Sequence, residues 1–158
     1  MSRMSSNLRP LHRRPVLLAL LLAAARGVTG SRLARAEPDA GLRLIVHASN
    51  PQTSASRDFV ADAFLKKATR WPHGDAISPV DLRAGSAVRR RFCEVVLKRS
   101  LAAVRSYWQQ RIFSGRDVPP PEVDSEESVV SYVAKYPGAV GYVKAATKLS
   151  GVKELLIR

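Results

Sequence analysis

Residues 76–92, AISPVDLRAGSAVRRRF, hold the side chains best suited to chemistry in this 158-residue chain. An apolar stretch with Ile77, Pro79 and Val80 reads as a short strand, followed by a Gly85–Ser86 turn and a helical pattern with Val88, Phe92, Val95 and Val96 on one face. A strand feeding a small-residue turn and then a helix aims unpaired backbone N–H groups and the positive end of the helix dipole at one point, which suits an anion. Three arginines, Arg89, Arg90 and Arg91, crowd the first turns of that helix, where the dipole disfavours positive charge. Either solvent screens them or an anion nearby offsets them. Their consecutive spacing turns them in different directions, so at most one or two converge on a ligand. Arg83, just ahead of the turn, is the first candidate for such a contact. Ser86 has two readings: a hydroxyl and N–H donated to an anion, or a plain helix cap. Asn50, Ser54 and Ser56 follow the first strand. They are expected at the strand-end crevice where α/β sheets bind ligands, or in turn and capping roles.

Other chemistries lack their residues. Cys93 is the only cysteine, which excludes an intrachain disulfide and a cysteine-based metal site, and its helical pattern predicts a buried thiol. His47 and His73 stand apart from any H-E-x-x-H pattern, so no metal is expected, and no cofactor motif is present. Asp75 and Asp81 have no matched acid–base partner in sequence, and Ser86 is outside a G-x-S-x-G elbow. No catalytic set emerges, and the chain is read as a non-enzyme.

The elements that must position these residues follow from periodicity. Residues 42–48 form an apolar run expected as a buried first strand. A helix is expected over 56–67, with Phe59, Val60, Ala63 and Phe64 in a stripe and Ser54 or Ser56 as its cap. Strand 76–81, helix 86–99 and a helix over 101–113 capped by Ser100 come next. Pro119–Pro121 read as a rigid exposed connector. Ser125 opens a helix over 126–136, with Glu126 and Glu127 favourably placed in its first turn. Strands over 139–143 and 152–157 close the chain. Trp71, Trp108 and Tyr142 are expected to pack in the interior. Strands alternating with helices predict an α/β domain, a mixed sheet with helices on both faces.

The formal net charge of +13 suggests nucleic acid at first sight. Residues 1–36, however, hold seven arginines and no acid, an apolar run over 16–25 too short to span a bilayer, and an A-x-A-like exit at 34–36. This is the outline of a secretory signal peptide. His12-Arg13-Arg14 loosely fits a twin-arginine signal. Residues 37–158 would then form one domain with 19 basic and 13 acidic residues. A net charge of about +6 suits a solvated surface or a small anionic ligand, and no nucleic-acid partner is expected.

Several segments in order resemble one family. Phe64-Leu65 through Lys67, Thr69, Trp71 and Gly74 look like the I-F-x-G-K-x-T-x-W segment of phosphate-binding subunits of ABC importers. Ile77–Val80 with Gly85-Ser86 resembles their strand and phosphate loop, and residues 137–143, PGAVGYV, resemble their P-G-A-I-G-Y-V strand. Tyr107-Trp108 with Ile112-Phe113-Ser114-Gly115 looks like the short, single-lobe members. The resemblance implies a type II periplasmic-binding-protein fold, with two lobes in full-length members and one here. It implies an exported, periplasmic solute-binding protein without catalysis, taking phosphate or a related small oxyanion and handing it to an ABC permease. The implied ligand-binding residues are Ser86, Gly85, Arg83, Asn50 and Ser54. The loop differs from the family's R-S-D-G-S-G-T: only Gly85 and Ser86 match directly, Arg83 stands in from a shifted position, and Ala87 lacks the threonine hydroxyl. The alternative is a single-lobe interaction or sensory module that has lost its solute, and a homodimer could rebuild a two-sided cleft.

Overall fold

The computed structural model describes residues 41–158, so the signal-peptide expectation lies outside the described residues. The elements are β1 (Leu42–His47), β2 (Ser54–Ala55), α1 (Arg57–Phe64), β3 (Ser78–Pro79), β4 (Asp81–Leu82), α2 (Ala87–Val95), α3 (Leu101–Phe113), β5 (Glu122–Val123), α4 (Glu126–Lys135), β6 (Ala139–Lys144) and β7 (Val152–Ile157). Serines start the four helices of the described residues: Ser56, Ser86, Ser100 and Ser125 each accept a first-turn N–H, from Phe59, Arg89, Ala103 and Ser128.

The main sheet has the order β2-β7-β1-β6-β3. β1 lies antiparallel to both β6 and β7, while β3 runs parallel to β6 and β2 parallel to β7. This is the mixed α/β sheet expected, and helices cover both faces. Along β6 successive side chains alternate sides. Tyr142 packs against α1 and α2, its ring stacked on Phe92 at 3.9 Å and tilted against Phe64 at 5.7 Å. Gly141 points the other way, onto α4, where a Cβ would come within 2.5 Å of Val129 and 3.2 Å of Val133. Gly138 has no room either, because a Cβ there would lie 2.1 Å from the Ala76 carbonyl oxygen. Both glycines of the Pro137–Val143 segment are therefore packing requirements. Trp71 is buried, and its Nε1 donates to the Gly138 carbonyl at 3.1 Å.

Three elements differ from expectation. The first helix ends at Phe64, and Lys66 adopts a left-handed φ of 52°. The second ends at Val95, with Lys98 at φ 53°. Val96 and Leu97 stay buried after the helix has stopped, which is why the apolar pattern overran its end. Expected strand 76–81 divides in two. The Val80 N–H still donates to Val140 of β6 at 2.9 Å, but the Asp81 N–H donates to Pro121 at 2.9 Å and the Arg83 N–H to Val123 at 3.0 Å. The segment thus leaves β6 and forms a separate two-stranded sheet, β4 with β5. The proline connector is correspondingly not all exposed: Pro120 is buried and the Pro121 carbonyl anchors β4.

Candidate functional site

The turn before α2 forms as expected. The Ser86 N–H donates to the Arg83 carbonyl at 3.0 Å, its Oγ accepts from Arg89 N–H at 3.4 Å, and its carbonyl accepts from Arg90 N–H at 3.1 Å. The Ser86 hydroxyl is therefore a helix cap in this structure. The cap leaves Ala87 and Val88 at the first turn, where no preceding helical carbonyl reaches their N–H groups. Gly85 is exposed, without a left-handed φ, and a Cβ there would meet nothing within 4 Å. Its conformation does not demand glycine; the residue leaves the mouth of the turn open.

The three arginines have three different fates. Arg90 is exposed. Arg89 is 5% exposed and penetrates the interior beneath the turn. There its Nη2 pairs with Asp81 Oδ2 at 3.0 Å, while Nη1 donates to the Leu82 carbonyl at 2.7 Å and to Glu122 Oε1 at 2.5 Å. The Tyr142 hydroxyl donates to Asp81 Oδ1, which also accepts the Leu82 N–H at 2.9 Å. The anion that offsets the charge at the start of α2 is thus in part the protein's own. Burial raises the Asp81 pKa, and Arg89, Tyr142 and the Leu82 N–H work against that rise. Cys93, one turn beyond Arg89, is buried as expected, and burial pushes its thiol up to about 11.

Arg91 lines a hollow of about 300 Å³ at the other side of the α2 N-terminus, together with Gly41, Leu42, Ala87, Val88 and Lys144. Lys144 Nζ is held by Glu126 Oε1 at 3.2 Å, whereas Arg91 has no ion-pair partner among the described residues. Burial tends to raise the Glu126 pKa, but bonds from the Thr147 hydroxyl and the Lys144 N–H, both 2.6 Å, and the Lys144 charge bring it below the usual range. A helix start, a guanidinium unpaired among the described residues and a paired ammonium therefore meet at one end of the sheet.

The sequence-predicted residues do not all gather there. Arg83, Gly85 and Ser86 share the turn, although the Arg83 side chain is 65% exposed and makes only a 3.4 Å surface contact with Asp124. Asn50 and Ser54 lie elsewhere, and the expectation of one shared crevice is corrected by strand direction. β1 is antiparallel to β6, and β3 parallel to it, so the carboxyl ends of β1 and β3 point to opposite ends of the sheet. Asn50, beyond β1, is buried, and its Oδ1 accepts the Gln52 N–H at 2.9 Å in a local turn. Ser54 pairs with Leu156 in β2, at the far edge from β3.

Sequence reasoning grouped Arg91 with its neighbours and missed Lys144. The signal was present for Arg91: on a helix, 87 and 91 share one face, while 88, 89, 92 and 93 share the buried one. Lys144 could not be found this way, because it reaches the hollow through the β1–β6 pairing, Leu42 opposite Lys144.

No family model and no curated relative matches this chain. Solved structures do. An ABC-type phosphate transport receptor from Vibrio cholerae is 20% identical with a TM-score of 0.58, over 74% of this chain and 46% of that one. A Clostridium perfringens structure with bound phosphate, described as a phosphate ABC transporter substrate-binding protein, is 22% identical with a TM-score of 0.59, over 74% and 44%. PstS from Borrelia burgdorferi is 12% identical with a TM-score of 0.58, over 75% and 47%. The chain shares the fold of these proteins and spans less than half the length of each.

Proposed function

We propose that this protein is an exported solute-binding protein of the phosphate-importer type, holding phosphate or a related small oxyanion without catalysis for delivery to an ABC permease. The reading rests on the α2 N-terminus, where Gly85–Ser86 leave the turn open and Arg91 and Lys144 line the adjoining hollow. Helix-start N–H groups and a guanidinium are donors that a tetrahedral oxyanion accepts. The fold shared with a structure that holds phosphate supports it further. Calorimetric titration with phosphate, sulfate and related oxyanions is the test. Saturable binding is expected, weakened about tenfold in Arg91→Ala through loss of one charge-assisted contact. Absence of binding by every oxyanion at about 1 mM, a weak affinity of about 4 kcal/mol, ends the reading for this lobe.

A second reading, an interaction or sensory module without a solute, is favoured by one observation. Arg89, the most buried cation near the turn, is already matched by Asp81 and Glu122. A protein indifferent to all oxyanions and monomeric in sizing experiments would support this module; an oxyanion-dependent dimer would support a rebuilt cleft.

A further inference from the structure

A second hollow, of about 190 Å³, lies between α3, the proline connector and the β4–α2 turn, and shares no lining residue with the first. Its apolar walls are Leu101, Trp108, Ile112 and Pro119. An apolar cavity of roughly 150 Å³ accommodates benzene, so this one suits a leucine- or phenylalanine-sized side chain. Ala84 and Gln109 add to the lining, and its charged groups are Arg89, Arg105 and Glu122. Arg105 is exposed on α3 and has no ion-pair partner among the described residues. Glu122 gives Oε1 to Arg89, and Oε2 has no donor among the described residues. Because Arg89 is matched by Asp81 behind it at 3.0 Å, Arg105 and Glu122 leave the hollow with one charge of each sign and no net charge.

A bare anion or cation would leave one of those charges unanswered, while a zwitterion with an apolar body answers both. We propose that this hollow binds an apolar α-amino acid, its carboxylate on Arg105, its ammonium on Glu122 Oε2, and its side chain among Leu101, Trp108, Ile112 and Pro119. The site is independent of the oxyanion reading, and phosphate is not expected to compete.

Titration of the full chain with L-leucine and L-phenylalanine, read by tryptophan fluorescence and calorimetry, tests this. Saturable binding is expected. Isocaproate, which lacks the ammonium, and isoamylamine, which lacks the carboxylate, should each bind about tenfold more weakly than leucine. Arg105→Gln, at an exposed position, should keep the melting temperature, weaken leucine about tenfold and leave isoamylamine unchanged. The proposal is overturned if neither amino acid gives a saturable response by about 10 mM. It is equally overturned if either analogue matches leucine, or if the folded Arg105→Gln protein binds leucine as the wild type does.

Discussion

Replacing Arg89 by methionine tests how the start of α2 is held. Arg89 and Asp81 side chains are 7% and 9% exposed, and they pair at 3.0 Å. Methionine fills the space of the arginine stem but leaves the Asp81 carboxylate with only the Tyr142 hydroxyl and the Leu82 N–H. Removing one partner of a buried pair costs about 3–5 kcal/mol, because the other charge stays desolvated. At about 3–5 °C per kcal/mol for a domain of this size, the melting temperature should fall by about 10–25 °C. The deficit should also depend on pH. Burial already raises the Asp81 pKa from 3.8, and losing Arg89 raises it further. A carboxyl with a raised folded pKa contributes stability that is fully present below the unfolded value and is lost as pH rises through the folded one. The variant should therefore be closest to wild type near pH 4 and fall behind toward neutrality. Urea unfolding followed by tryptophan fluorescence across that range measures both effects. A loss below about 1 kcal/mol at neutral pH, the scale of an exposed pair, would refute the reasoning. So would a deficit larger in acid than at neutrality.

Glu126→Gln should destabilise the protein at neutral pH but not in acid. The lowered Glu126 pKa gives stability present above the unfolded value of 4.5 and lost as pH falls through the folded one, so unfolding curves of variant and wild type should converge on acidification. Gly141→Ala should cost about 1–3 kcal/mol by overpacking against Val129 and Val133, measured by urea unfolding. Ser86→Ala should cost about 1 kcal/mol as a lost cap, again by unfolding. Native Cys93, with its pKa raised to about 11, should resist a thiol reagent at neutral pH and react once urea unfolds the chain; rapid native labelling would contradict its burial.

The sequence determined what short-range physics dictates. Serine caps, apolar stripes and the Gly85–Ser86 turn depend on residues a few positions apart, so Ser56, Ser86, Ser100 and Ser125 mark the helices and Leu42–His47 the first strand. The alternation of strands and helices likewise pointed to an α/β sheet covered by helices on both faces. The tertiary structure decided what meets across distance. Opposed strand directions separate Asn50 from Ser86, and the departure of residues 81–83 from β6 to β5 places Glu122 beside Arg89. Three adjacent arginines that look alike in sequence become one buried ion-pair partner, one exposed cation and one lining of a hollow. Helical rotation assigns those faces, but only the packing of α2 against the sheet settles which of them is inside.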